Sequence, residues 1–279
     1  MRKIERYLTM RLEKIYLCSK LLKNKPGRMA KSTGKKIAGK LKKEKIVQFH
    51  TDFKYTSRED KPEYVWRKYR EILRGKILDV GADECGLKKF LPEGTEYIGI
   101  GVGGSVDVEI NLEKERLPFE DNSFDCVLCL DVLEHLDNLH EVFDELCRVT
   151  KKYLIIALPN PWASFMGMLR RGYYKHTELP MKFYNLPIDP PEDRHKWFYG
   201  IHEAERFLKE RGRMNGMEIL QMDRENADLN LKRRLYRMML KLVVHKDVDV
   251  DSLMSGRVWA VLIKKSFDFS TKGEIVIEG

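Results

Sequence analysis

From Lys76 onward, short apolar runs alternate with stretches whose apolar residues recur every three or four positions. The runs are KILDV (76–80), EYIGIGV (96–102), FDCVLCLDVL (124–133), YLIIALP (153–159), MEILQM (217–222) and RVWAVLIKK (257–265). Each is short and bounded by charge or turn residues, which predicts strands, and YLIIALP has the unbroken apolarity of a strand covered on both faces. Between them, GLKKFL opens a helix at Gly86, and Leu139, Val142, Phe143, Leu146 and Val149 mark one face of another. HEAERFLKERG reads as a helix stopped by Gly212. Tyr64, Trp66, Tyr69, Ile72 and Leu73 predict a helix leading into this region. Such alternation predicts an α/β fold with a mainly parallel sheet and helices on both faces.

Three regions depart from the alternation. Residues 1–46 pair a basic amphipathic helix, with Ile4, Leu8, Leu12, Ile15 and Leu22 at helical spacing, with a basic linker broken by Pro26 and Gly27. Residues 161–200 are dense in aromatics and 223–255 contain LKRRLYRMMLKLVV, a second basic amphipathic helix; both read as insertions capping a substrate site. The expected organisation is an arm at 1–46, one domain at 47–265 and a polar tail at 266–279.

Composition narrows the class. A chain of 279 residues that is 43% hydrophobic can bury a core. No apolar run reaches the ~20 residues of a membrane span, and the N-terminus lacks the pattern of a secretory signal. Five cysteines without disulfide-like spacing suggest a reducing, cytoplasmic setting. Cys126 and Cys129 form a CxxC inside an apolar run, with no second pair to complete a zinc site, so they read as core residues and no metal is expected. The net charge of +9 is uneven: residues 1–46 hold 16 Lys or Arg against Glu5, Glu13 and Glu44, so the remainder is acidic on balance. Basicity belongs to the arm.

The first predicted strand runs into GADECG, residues 81–86, and ligands of open α/β sheets sit beyond the carboxyl ends of the strands. A dinucleotide site would need G-x-G-x-x-G. Here Asp83 and Glu84 stand where phosphates would lie, and like charges at ~4 Å cost about 1–4 kcal/mol. A phosphate-free, cationic ligand reverses that logic.

KILDVGADECGLKKFL, YIGI, LPFEDNSFDCVLCLDVLEHL and VTKKYLIIALPNP together resemble the class I S-adenosylmethionine-dependent methyltransferases. They are most similar to the branch with ubiquinone-biosynthesis-type and small-molecule or glycan enzymes. The resemblance is strong over 70–160 and weak over 195–265. It implies a Rossmann-like sheet with an antiparallel last strand, and S-adenosyl-L-methionine as cofactor. It also implies roles for residues. Asp79, Gly81, Ala82 and Asp83 border the methionine end of the cofactor. Asn111 and Leu112 lie at adenine, and Asp131 lies beside the cofactor. His195 and His135 are candidate catalytic residues, and Glu134 opens the following helix. In two places this sequence departs from the family pattern. Asp83 and Cys85 replace turn glycines, and Gly101 replaces the acid that binds the ribose diol, with Asp107 as a substitute from the loop.

Plainer readings stand beside these: Asp83 and Glu84 as helix-start acids, Asp131 as a cap, Glu134 and His135 as first-turn residues, His195 as a structural histidine, and the aromatics as packing. The leading expectation is a methyltransferase acting on a small-molecule, glycan or lipid-linked acceptor. The alternatives are an RNA methyltransferase guided by the arm and a non-catalytic binding module. The segments 1–46 and 231–244 suggest contact with RNA or with an anionic membrane at its inner face.

Overall fold

A computed structural model describes residues 48–171, 189, 193–226 and 231–265. The arm, the tail and the aromatics Tyr173, Tyr174, Phe183 and Tyr184 lie outside the described residues. Seven strands form one sheet: β1 (Lys76–Val80), β2 (Glu96–Gly101), β3 (Val108–Glu109), β4 (Phe124–Leu130), β5 (Thr150–Pro159), β6 (Met217–Asn226) and β7 (Ser255–Lys264). Their order is β3-β2-β1-β4-β5-β7-β6. β1 to β5 pair in parallel and β7 runs antiparallel to both β5 and β6. This is the mainly parallel sheet with a reversed last strand that the sequence predicts.

The helices are α1 (Lys61–Tyr69), α2 (Leu139–Val149), α3 (Pro161–Arg171), α4 (Ile201–Met214), α5 (Leu231–Val243) and α6 (Val250–Met254). Two apolar layers sandwich the sheet. On one face α2 buries Leu139, Val142, Phe143 and Leu146 with Leu208 of α4; on the other α1 buries Val65 and Tyr69 with Trp259 of β7. Each large side chain so buried contributes about 1.5–3 kcal/mol. Cys126 and Cys129 are fully buried in β4, and burial raises both thiol pKa values, as core cysteines require.

Several predicted boundaries differ: β4 ends at Leu130, β6 runs on to Asn226, and α1 ends at Tyr69 before Ile72 and Leu73. GLKKFL forms only a five-residue 3-10 turn, Gly86–Phe90, because Pro92 follows too soon for a longer helix. Gly212 does not stop α4. A Cβ there would meet Leu262 Cδ2 at 2.7 Å, so its small size serves helix–sheet packing, and the chain turns instead at Gly216 with φ +71°.

Candidate functional site

The carboxyl ends of β1, β2 and β4 converge on the 81–86 turn. The amides of Gly81 and Ala82 both donate to the carbonyl of Ile100, at 2.8 and 3.1 Å, which stitches the turn onto β2. Gly81 has φ +74°, and a Cβ there would lie 2.3 Å from Val132 Cγ2, so the turn and the segment after β4 touch at this glycine. Asp83 and Cys85, where the family pattern has glycine, have φ +52° and +47°. The left-handed backbone is thus retained without glycine, at a cost of about 1–2 kcal/mol per residue, less for Asp. Asp83 is exposed and lies 3.3 Å from Arg58 Nε, a solvent-screened pair. Neither Asp83 nor Glu84 begins a helix of useful length, which removes the helix-dipole reading.

Asp79 is the buried charge of the site. Its Oδ2 accepts a hydrogen bond from the Tyr97 hydroxyl at 2.8 Å, and among the described residues it has no ion-pair partner. Burial pushes its pKa up to about 6, against the lowering effects of the Tyr97 bond and the more distant Lys61. The site therefore holds a carboxylate short of a cation.

At Gly101 the missing acid leaves room: a Cβ would meet Val106 Cγ1 at 3.4 Å and Gly81 Cα at 3.7 Å, ordinary contacts. Asp107 is engaged within its own loop. Its carboxylate accepts the Gly99 amide at 2.9 Å and Lys88 Nζ at 3.0 Å, bonds that lower its pKa and tie it to its own loop. Asn111 is half-buried and its Oδ1 accepts the Glu113 amide at 3.0 Å; Leu112 is buried in the core, its carbonyl held by Asn138 Nδ2 at 2.8 Å. Asn111 and Leu112 thus lie in a fixed turn beyond β3.

Asp131 follows β4 with φ +61°. Its Oδ2 receives Lys61 Nζ and Arg257 Nη1, each at 2.8 Å, while Oδ1 is buried without a hydrogen-bond partner. Arg257 also places Nε 2.8 Å from Glu225 Oε2, close enough to pair but not aligned as a hydrogen bond, and Tyr55 donates to the same Oε2 at 2.8 Å. Nothing in the sequence pattern announced Lys61, Glu225 or Tyr55; for Arg257 the available signal was a basic residue at a strand end.

Three residues on, Glu134 is almost wholly buried in a 3-10 turn, Leu133–His135. Burial and the Asp131 carboxylate push its pKa up to about 8. Residues 193–199 lie along this turn: the Lys196 amide donates to the Glu134 carbonyl at 2.8 Å and Trp197 Nε1 to the Leu136 carbonyl at 2.6 Å. His195 is thereby brought beside His135, their rings 4.6 Å apart and nearly perpendicular. The two histidines named in the sequence form one cluster, and Val132, three residues before His135, packs against Gly81 of the turn.

Residues 103–156 match the family model described as "Methyltransferase domain", which spans β3 to β5 and the Glu134–His135 turn. No curated protein matches the chain. Among solved structures it is similar to a SAM-dependent methyltransferase from Archaeoglobus fulgidus (18% identity, TM-score 0.47, 75% of this chain and 95% of that one). It is also similar to the [4+2]-cyclase SpnF (15%, TM-score 0.44, 74% and 80%). A third is the magnesium protoporphyrin IX methyltransferase from Synechocystis PCC 6803 with bound SAH (13%, TM-score 0.43, 74% and 83%).

Proposed function

We propose that the chain transfers a methyl group from S-adenosylmethionine to an oxygen of a small-molecule, glycan or lipid-linked acceptor. The observation that carries this reading is Asp79: a buried carboxylate with no ion-pair partner among the described residues, at the end of β1, beside a left-handed turn. S-adenosylmethionine fits it, since its ammonium answers the carboxylate and it brings no phosphate to the acidic turn. The cofactor supplies an activated methyl on a sulfonium. The chain's part is to hold that methyl in line with the acceptor and to exclude water, worth about 7–11 kcal/mol in well-aligned reactions. Asp79 and residues 81–83 would take the methionine end, Gly101 would border the ribose, and Asn111 and Leu112 would border the adenine. The His135–His195 cluster marks the acceptor side.

Calorimetric titration with S-adenosylmethionine and S-adenosylhomocysteine tests the reading. We expect micromolar binding, and tighter binding for Gly101→Asp, because one charged hydrogen bond to a ribose hydroxyl adds about 1.5–3 kcal/mol, or about 10- to 100-fold. No binding by either protein at millimolar ligand would refute the cofactor assignment.

A specific surface favours a lipid-linked acceptor. On α5 the residues Leu231, Leu235, Met238, Met239 and Val243 are all at least half exposed. Arg234, Arg237 and Lys241 share the same helix. An apolar stripe beside basic residues suits the surface of an anionic bilayer. No helix among the described residues is long and apolar enough to cross one. Co-sedimentation with vesicles containing phosphatidylserine should fall at least several-fold for the Leu235→Glu/Met239→Glu double variant. Equal pelleting of both proteins would remove the membrane from the account.

A further inference from the structure

We infer that Glu134, His135 and His195 form a binding site for a divalent transition-metal cation, with Asp193 orienting His135 from behind. One donor atom from each of the three residues lies within 4.8 Å of the others. A cation bonded at about 2.0–2.2 Å to each sets its donors roughly 3–4 Å apart, so the cluster closes with a contraction of about 1–2 Å, shared among the three side chains.

The strongest sign is Glu134. Its side chain is 1% exposed, yet Oε2 has no hydrogen-bond partner. Burying a carboxylate oxygen unpaired is costly, and such groups persist where something outside the chain completes them. Asp131 Oδ1, three residues earlier, is also buried without a partner and adds negative potential.

His135 is arranged as a metal ligand. Its Nδ1 lies 2.5 Å from Asp193 Oδ1, while Nε2 lies 3.7 Å from Glu134 Oε1. With Nδ1–H donating to Asp193, Nε2 is the ring nitrogen nearer the glutamate. Carboxylate, imidazole and metal in that order is the usual way a protein fixes a ligating histidine. His195 presents a second imidazole at near right angles to the first. The bonds from Lys196 and Trp197 to the 134–136 backbone hold it there. Two imidazoles and one carboxylate favour ions such as Zn²⁺, Mn²⁺ or Fe²⁺ over Mg²⁺ or Ca²⁺, which prefer all-oxygen shells. The sequence hides the site because His195 is 60 residues from His135 and no familiar ligand spacing links them.

A further consequence rests on the methyltransferase reading above. A cation at this position would take an acceptor hydroxyl or vicinal diol as a ligand, so the histidines would act on the acceptor through the metal, without taking its proton themselves. An open coordination position lowers the pKa of a bound hydroxyl as it does that of water.

The test is Mn²⁺ binding to the full-length, metal-stripped protein by electron paramagnetic resonance, with Zn²⁺ by calorimetry and no cofactor present. The expected result is one equivalent bound, with hyperfine coupling to imidazole nitrogen. Glu134→Gln and His195→Ala should weaken binding at least tenfold, and Asp193→Asn about tenfold. His195 and Asp193 are only partly buried or exposed, so their variants report even where Glu134→Gln perturbs folding. Absence of binding, or equal binding by wild type and the His195→Ala and Asp193→Asn variants, would overturn the site. Homocysteine-nucleoside binding measured on the same preparation separates the two proposals: metal binding without it leaves the cation site standing and removes the methyl-transfer role.

Discussion

Asp79→Asn should make the protein more stable at pH 7.5 and a poorer binder of S-adenosylmethionine. Burial raises the Asp79 pKa from 3.8 to about 6. The folded state therefore holds this proton to higher pH than the unfolded chain does. Below pH 3.8 both states are protonated and the residue costs nothing. As pH rises from about 4 to 6 the unfolded chain ionises first, and stability falls; above 6 the loss is constant. A shift of about two units corresponds to about 3 kcal/mol. Asparagine keeps an acceptor for Tyr97 and removes the titration. It should recover about 1–3 kcal/mol at pH 7.5, less whatever its amide leaves unpaired, and nothing at pH 3.5. Urea denaturation at pH 4, 5, 6 and 7.5 gives the profile directly. Cofactor affinity should fall about 10- to 100-fold, the worth of one charged hydrogen bond. A wild-type stability profile parallel to that of the variant would show that Asp79 titrates normally. Unchanged cofactor affinity would place the methionine end elsewhere. Gain of stability with loss of binding is what a carboxylate kept for a cationic ligand predicts.

The sheet was legible because its inner strands are apolar at nearly every position: β5 is buried at Tyr153 to Leu158 without a break. Periodicity likewise placed α2 to the residue. Helix ends were less legible. Gly212 looks like a stop in the sequence, and only the approach of Leu262 shows that a small residue is needed there for packing. The turn was read in its position, but its conformation was not: Asp83 and Cys85 replace the family's glycines, yet the left-handed geometry persists at both. The cluster of Glu134, His135 and His195 was the least legible. His135 and His195 could be named singly from motifs, but the burial of Glu134 could not, since DVLEHL reads as polar residues at a helix start. The 193–199 segment also lies along this turn, with the Lys196 amide donating to the Glu134 carbonyl, a contact between residues about 60 apart. Local patterns carry no information about such a contact.

Arg257→Ala should destabilise the protein by about 3 kcal/mol. The guanidinium sits at the start of β7, mostly buried, between Asp131 and Glu225 at 2.8 Å each. Burial alone would lower its pKa, but the two carboxylates hold it above the ordinary arginine value, so it stays charged. Among the described residues, removing it leaves Glu225 with Tyr55 and Trp259 as hydrogen-bond partners and Asp131 with Lys61 as its ion-pair partner. Taking one partner from a buried pair costs about 3–5 kcal/mol because the other charge is stranded, and Lys61 reduces that here. The double variant Arg257→Ala/Glu225→Gln should therefore be more stable than the sum of the single effects predicts, by at least about 1 kcal/mol. Strict additivity in chemical denaturation would show that the charges do not couple and that this reading of the network is wrong. The residue also bears on function. Asp131 holds a left-handed backbone three residues before Glu134, and Arg257 is 126 residues away along the chain. If Arg257 anchors that geometry, Arg257→Ala should weaken Mn²⁺ binding at the Glu134 cluster although it is not itself a ligand. Arg257→Lys should restore part of the stability but less of the metal affinity, since a single ammonium cannot span both carboxylates.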